Sequence, residues 1–499
     1  MVNSVPAKLI NGKAGNVSRN KFRDIYSIMF IILIFVSLFA TLAICVDFGK
    51  PDYYKLLFIL PLMFVIFLLL NVRNFKNIFS NFGLAILFAL EFVRLVIAPF
   101  FLMLSGYVEV IKLNVAVNTP KAILLMAYET VAVALAINIP VRLKKVRVCN
   151  DRQYSKGIGR LHIAMLIYTV ILVALCVIAP DILLSHRTIF GLFSDKSFTA
   201  MQFDKVIAAY TGSTAQRYCL ILSRLFLTPF RLLFPAYLII VIRHKRIKYG
   251  KLLCLIISFF PFLLVSDIIA QSIYFTLFLL LLTIYVYNMG YKKVVLLFAL
   301  AALAVFGYFL TRFFLIRDSS GESFLENIGQ RLFTYFSGVN IVSGAFNYPD
   351  KWDDRYLYLL YEFLRAIPMH NMLGIDNSII PSDFFNGINK VVGQISTTIG
   401  MGYFYLGGVF APVFSMILAY LTKYFGMKMN EEPLPLYRLT YMFAAFIMAL
   451  GIIMYSMSIA FNAVLQMILP IYIIARIAFG HKKVSKSRMP KSSAAVKAR

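Results

Sequence analysis

The stretch IYSIMFIILIFVSLFATLAICV, residues 25–46, contains no Asp, Glu, Lys or Arg. As a helix rising 1.5 Å per residue it would be roughly 33 Å long, enough to cross a hydrocarbon core of roughly 30 Å. It is too long for the apolar region of a cleaved leader, and no small-residue cleavage site follows it. It therefore reads as a first membrane-spanning helix, and the rest of the chain repeats the pattern. Of 499 residues, 61% are hydrophobic, and the mean hydropathy is +0.80. A soluble globular protein is nearer half apolar. An outer-membrane barrel would show short alternating segments instead of continuous runs. The expected fold is an all-α polytopic membrane protein with about 12 transmembrane helices, at residues 25–46, 55–72, 79–104, 121–141, 161–180, 218–242, 252–266, 269–288, 294–311, 398–422, 437–457 and 460–479. The seventh and eighth form a tight pair around Ser266, Asp267 and Gln271.

Charge orients these spans. The formal net charge is +28, with 50 Lys and Arg against 22 Asp and Glu. Threading the spans alternately puts 31 of the basic residues on one side with only Asp24, Asp151, Glu431 and Glu432, and 15 basic with 15 acidic residues on the other. The positive-inside rule makes the basic side cytoplasmic and places both termini there. The positive charge then faces an anionic leaflet, and no nucleic acid is implied. Five cysteines lie singly in or beside apolar runs, and the five histidines lack metal-ligand spacing, so neither a disulfide framework nor a metal site is expected.

The expected organisation is a cytoplasmic N-terminal tail (1–24), helices one to nine (25–311), a large outer loop (312–397), helices ten to twelve (398–480) and a basic cytoplasmic tail (481–499). A structureless loop of that length is uncommon in a compact protein. This one holds the only tryptophan, Trp352, with Tyr335, Phe336, Phe346, Tyr348, Tyr356, Tyr358, Tyr361 and Phe363. Within DRYLYLLYEFLRAIP, residues 357–364 have the pattern of an amphipathic helix lying in the interface and ended by Pro368. The loop is expected to fold as a small cap. No internal repeat is evident.

Charges inside spans cost about 2.5–3.5 kcal/mol each on insertion scales and mark partners or wet cavities. They are Arg94, Arg224, Arg231, Arg476, Glu91, Glu129 and Asp267. Glu91 and Arg94 are one turn apart and can neutralise each other; Pro99 can open that helix beyond them. Arg224 and Arg231 are seven apart, on one helix face, with Pro229 and Pro235 expected to break the helix around Arg231. They suit an anion path from the outside, although an interfacial helix with a snorkelling Arg224 fits too. Glu129 is a candidate partner for one of the intramembrane arginines. Asp267 fits a simple turn, and Arg476 fits snorkelling at a helix end.

The segment TRFFLIRDSSGESFLENIGQR, residues 311–331, brings Arg312, Arg317 and Arg331 to the outer side, and Arg365 follows. Guanidinium groups bind phosphate oxygens bidentately, so an anion anchored in lipid, such as a lipid diphosphate, fits them. Pairing with Asp318, Glu322, Glu326 and Asp350 of the same loop is the competing reading. Phosphate-loop, serine-elbow and zinc-helix motifs are absent from the sequence, so no nucleotide, metal or other cofactor is expected. A glycosylation sequon at Asn16-Val17-Ser18 falls on the cytoplasmic side.

The segments TRFFLIR (311–317), GVNIVSGAF (338–346) and GQISTTIGMGYFYLGGVFAPVFSMILAYL (393–421), with Tyr403, Tyr405, Gly407 and Gly408 entering the next span, resemble the bacterial oligosaccharide repeat-unit polymerases, the Wzy-type O-antigen and capsule polymerases. The resemblance extends to the whole architecture. It implies a multi-pass enzyme of the bacterial cytoplasmic membrane, acting on its periplasmic or extracellular face as a glycosyltransferase on undecaprenyl-pyrophosphate-linked glycan. A chain-length regulator protein and a flippase are candidate partners. The catalytic candidates are then Arg312, Arg317, Arg331, Glu362 and Asp376, with Asp383 as a further carboxylate. The substrate-binding candidates are Arg94, Arg224, Arg231, Arg365, Tyr403 and Tyr405. The O-antigen ligases share the architecture but carry a histidine late in the large loop. Residues 371–400 contain none here, and His370 lies earlier. A lipid-linked oligosaccharide flippase is the alternative of a different class, and a non-catalytic scaffold of an export complex is a third.

Overall fold

The computed structural model describes residues 14–107, 117–143, 151–179, 186–187, 213–263, 265–266, 269–289, 332, 336, 338–347, 355–367, 397–453 and 457–480. The side chains of Arg224, Arg365 and residues 14–25, 79, 151–153, 186–187, 217, 265–266, 269–270 and 458 lie outside that description. In chain order the principal helices are α1 (Ala14–Val46), α2 (Ile59–Leu70), α3 (Phe82–Phe92), α4 (Ala98–Leu104), α5 (Thr119–Asn138), α6 (Asp151–Ile178), α7 (Thr214–His244), α8 (Gly250–Ile257), α9 (Ile269–Val286), α10 (Val339–Gly344), α11 (Arg355–Arg365), α12 (Thr398–Phe410), α13 (Val413–Glu431), α14 (Pro435–Ile453), α15 (Met457–Ala463) and α16 (Leu469–Phe479). The single ladder among the described residues is a two-residue antiparallel pair, β1 (His186–Arg187) with β2 (Val265–Ser266).

The chain is an α-helical polytopic membrane protein. Eight helical segments among the described residues are long and apolar enough to cross a membrane, and nine if α12 and α13, bent by 108°, count as one. Eight of the twelve expected spans coincide with those eight helices, and the expected span 398–422 is the bent pair. The expected seventh and eighth spans are shorter apolar helices, Gly250–Phe262 and Gln271–Val286. At 1.5 Å per residue Gly250–Phe262 reaches roughly 20 Å and α9, from Ile269 to Val286, roughly 27 Å. The expected ninth span, 294–311, lies outside the described residues.

Local chemistry sets several helix starts. The Asn81 side chain accepts from the Leu84 amide at 3.1 Å and caps α3. Ser213 and Gln216 form a reciprocal capping box at α7, and Thr397 Oγ1 accepts from the Gly400 amide at 2.9 Å to cap α12. Among the described residues two π-helical turns interrupt the bundle, Val93–Ile97 and Val464–Ile468. Each ends two residues before a proline, Pro99 and Pro470. Proline lacks an N–H and its ring presses on the preceding turn; the wider π turn accommodates both defects.

α14 lies at the centre, almost wholly buried, packed against α3, α9 and α13. Its small residues, Ala444, Ala445, Ala449 and Gly451, let neighbouring backbones approach, as membrane helix packing requires. α1 and α6 are peripheral. They expose Ile31, Phe35, Leu42, Leu166 and Val170, apolar side chains that only lipid tolerates in such number.

Hydrogen bonds sort the helix ends into two rims. At one, Asn138 Nδ2 donates to Asn71 Oδ1 at 2.9 Å, Lys423 Nζ donates to the Ile137 carbonyl at 2.6 Å, and the Tyr285 hydroxyl donates to the Pro433 carbonyl at 3.2 Å. At the other, the Tyr107 hydroxyl donates to Asp47 Oδ2 at 2.7 Å, the Tyr54 hydroxyl to Asn340 Oδ1 at 2.8 Å, and Asn118 Nδ2 to Asn347 Oδ1 at 2.9 Å. Each bond joins segments that the alternate threading puts on the same side.

Candidate functional site

Two buried arginines define the polar interior, and they are balanced differently. Arg94 sits on the π turn after α3, 2% exposed. Its Nη2 donates to Glu129 Oε2 on α5 at 2.8 Å, and Glu129 Oε1 accepts from the Ser415 hydroxyl on the first turn of α13. The expected partner of Arg94 was Glu91, one α-helical turn away. The π turn begins between them and turns Arg94 toward α5 instead. Glu129, expected to serve one of the intramembrane arginines, serves this one. Glu91 remains at the end of α3, 1% exposed, and neither of its oxygens has a hydrogen-bond partner among the described residues.

Arg231 lies midway along α7 and is fully buried. Its Nη1 donates to Gln271 Oε1 at 2.8 Å. Its Nη2 donates to the Ser272 hydroxyl at 2.5 Å and to the Pro261 carbonyl at 3.3 Å. The Phe275 ring lies 5.6 Å from the guanidinium carbon. All these partners belong to the short pair formed by α8, α9 and the turn between them. Nε has no partner among the described residues, and no described carboxylate lies within ion-pair distance of Arg231. A buried cation held by neutral acceptors keeps most of its charge uncompensated.

α7 runs as helix through Pro229 and Pro235, which corrects the expectation that these prolines break it. They do remove two backbone donors, and the carbonyl that Pro235 leaves without its helical bond is that of Arg231 itself. Arg224 lies two turns away along the same face by position.

The third group sits where α10, α11, α12 and α13 meet. Ile341, Ala345, Met401, Phe404, Tyr405 and Phe414 pack there with Tyr358 and Leu359 against them. Tyr405 is buried within this cluster, and the Tyr403 ring lies 4.4 Å from that of Phe346. Glu362, on α11, is buried as well. α11 does form within the expected amphipathic segment, exposing Tyr356, Leu357 and Leu360. The α12–α13 bend depends on two glycines. Gly407 has φ +79°, a region L side chains rarely enter, and a Cβ at Gly402 would collide with the Ala411 carbonyl.

Of the expected site residues, Arg94 and Arg231 are in separate polar clusters, Tyr403 and Tyr405 are in the α10–α13 joint, and Glu362 is buried on α11. Arg312, Arg317, Arg331, Asp376 and Asp383 lie outside the described residues. Sequence reasoning missed Ser415, Ser272 and the Pro261 carbonyl. Ser272 beside Gln271 in an apolar run was a signal; Ser415 gave none, being one hydroxyl among many in membrane helices. Comparison with known family models, with curated proteins and with solved structures finds no match to this chain.

Proposed function

We propose that this protein is an outer-face polymerase that joins oligosaccharide repeat units carried on a polyprenyl diphosphate, the reading given by its resemblance to the Wzy-type enzymes. The observation that carries it is Arg231. No described carboxylate pairs with Arg231; an uncompensated cation in a membrane is costly, and an anionic group of the substrate would relieve that cost. Gln271 and Ser272 fix the guanidinium plane, and Nε, buried without a hydrogen-bond partner among the described residues, is the donor proposed to meet a phosphate oxygen. Arg94 is already neutralised by Glu129, so in this reading it holds helices together and does not bind the diphosphate.

In the proposed reaction a sugar hydroxyl of one chain attacks the anomeric carbon of the other. The new glycosidic C–O bond forms as the bond to the diphosphate breaks. The diphosphate leaves with the electron pair, and the hydroxyl proton passes to a carboxylate, with Glu362, Asp376 and Asp383 as the candidates. Arginines stabilise the charge that develops on the leaving oxygens, and the outer-loop residues Arg312, Arg317 and Arg331 are proposed for that task. Two lipid-anchored substrates held in register would gain much of the rate from orientation.

One observation favours a second reading, a transporter of lipid-linked oligosaccharide. Arg231 is 17 residues from the start of α7, roughly 25 Å along the helix axis, and the bent α12–α13 pair is the kind of discontinuous helix that transporters place at binding sites. Deleting the gene and inspecting surface polysaccharide separates the alternatives. Single repeat units outside support the polymerase. Repeat units retained inside support the transporter. Full-length polymer left unattached to its lipid acceptor supports a ligase.

A further inference from the structure

We infer that Glu91, Glu129, Arg94 and Ser415 form a buried binding site for one monovalent cation, a proton or a sodium ion. The buried charges in this cluster do not balance. Two carboxylates, both almost completely buried, stand against one guanidinium. The Arg94–Glu129 bond at 2.8 Å uses that guanidinium. Glu91 then holds the surplus negative charge, with both oxygens buried and unpartnered among the described residues. A carboxylate without a partner is too costly to leave bare in a membrane interior. One bound cation removes the surplus.

Among the described residues, the neighbouring elements offer Glu91 no other counter-charge. Arg94, on its own helix, and Glu129, from α5, are the charges that act on it. α2 packs against the π turn and carries no titratable residue. α13 supplies Ser415 and has its lysines engaged elsewhere, Lys423 on the Ile137 and Ile139 carbonyls and Lys428 over the Tyr441 ring. α14 contributes Arg438, which lies over the Tyr285 ring, besides Tyr437 and Tyr441. α5 holds two more titratable residues, Lys121 and Tyr128; Tyr128 donates to the Val409 carbonyl.

The ligand chemistry follows from the donor set. Carboxylate and hydroxyl oxygens without nitrogen or sulfur suit a hard cation. One surplus charge suits a monovalent one. A proton would sit on a Glu91 oxygen and turn it into a donor; a sodium ion would take Glu91 oxygens as ligands, with Glu129 Oε1 and Ser415 Oγ as the further candidates. The site joins α3, α5 and the first turn of α13, immediately after the 108° bend. Its occupancy is therefore positioned to stiffen that bend. The inference does not depend on the glycan reading.

The test uses the full-length chain purified in nanodiscs, with sodium chloride exchanged for choline chloride at constant ionic strength. In the sodium case the unfolding temperature rises saturably with sodium, and Glu91→Gln abolishes the response. In the proton case sodium has no effect, and the infrared difference spectrum between acid and alkaline pH shows a protonated-carboxyl band that Glu91→Gln removes. A wild-type chain with neither a sodium response nor such a band overturns the inference without any variant. Either signal persisting unchanged in Glu91→Gln overturns it as well. Should Glu91→Gln fail to fold, Ser415→Ala replaces it in the sodium arm, where a weakened half-saturation is expected and an unaltered one counts against the site. In the proton arm wild-type Glu91 is then assigned by the shift of its band in Ser415→Ala, and an unshifted band counts against it.

Discussion

Arg94 and Glu129 stand 35 positions apart in sequence and meet at 2.8 Å in the buried centre of the bundle. This bond ties the π turn after α3 to α5, and Ser415 extends it to α13. Removing Arg94 leaves Glu129 and Glu91 as uncompensated buried carboxylates, whereas removing Glu129 leaves Arg94 with Glu91 as its nearby carboxylate. Arg94→Ala should destabilise the chain by about 3–5 kcal/mol, Glu129→Ala by less, and replacing both with apolar residues of similar volume should recover much of the Arg94→Ala loss. A double-mutant cycle on unfolding in detergent measures it. Additive single effects would contradict the pairing.

Lys423 closes the opposite end of α5. Its ammonium donates to the Ile137 carbonyl at 2.6 Å and to the Ile139 carbonyl at 3.0 Å, groups left without helical partners where α5 ends. Lys423→Met keeps the apolar stem and removes both donors. A loss of about 1–3 kcal/mol is expected, with the faster amide exchange confined to residues 135–139.

Gly426 meets the Asn81 side chain and the Gly83 backbone so closely that a Cβ there would overlap them. Gly408 has only the edge of Tyr403, at 3.7 Å. Gly426→Ala should therefore force α13 away from α3, at the upper end of the about 1–3 kcal/mol range for overpacking. Gly408→Ala should leave the unfolding temperature nearly unchanged. Equal shifts in the two variants would count against the crossing described.

Asp47 accepts from the Tyr107 hydroxyl and from the Gly49 amide at 3.0 Å. The tyrosine bond, then the amide, holds its carboxyl below the ordinary value of 3.8. A depressed carboxylate stabilises the fold above its unfolded pKa, and the effect fades as pH falls through its folded pKa. The contribution of this pair should thus be complete at neutral pH and vanish in the acid range below 3.8. Tyr107→Phe should lower the unfolding temperature at neutral pH and converge on wild type in acid, as a pH series of melts would show.

The helical class was legible because apolar runs of membrane length need no tertiary information. Residues 25–46 and 437–457 could be placed from composition alone. The pair at 252–288 was less legible, because its apolar helices, Gly250–Phe262 and Gln271–Val286, fall below the usual length of a span. Arg94 misled for a related reason. Three positions from Glu91, it pairs within an α-helix, but the π turn before Pro99 redirects it. Pro229 and Pro235 misled in the other direction, since neighbouring helices can support a proline-bearing segment that would break in isolation. Arg231 was legible as a buried cation, but its neutral partners on α9 came from a fold the sequence does not display.

Arg231 separates the proposed chemistry from a structural role. Arg231→Lys keeps the charge and loses the planar fork. It should cut polymer formation by roughly 10²-fold or more, the scale of losing an oriented charge donor at the reacting oxygens, while leaving the protein in the membrane at normal abundance. Unchanged polymer at normal abundance would assign Arg231 to packing alone.

The most direct test of the account is polymerisation by the purified chain in liposomes containing a polyprenyl-diphosphate-linked oligosaccharide. The account predicts a ladder of products differing by one repeat unit, with release of polyprenyl diphosphate and loss of the ladder in Arg231→Lys. Transfer of the intact lipid-linked oligosaccharide between leaflets, with no ladder and no diphosphate released, would contradict it.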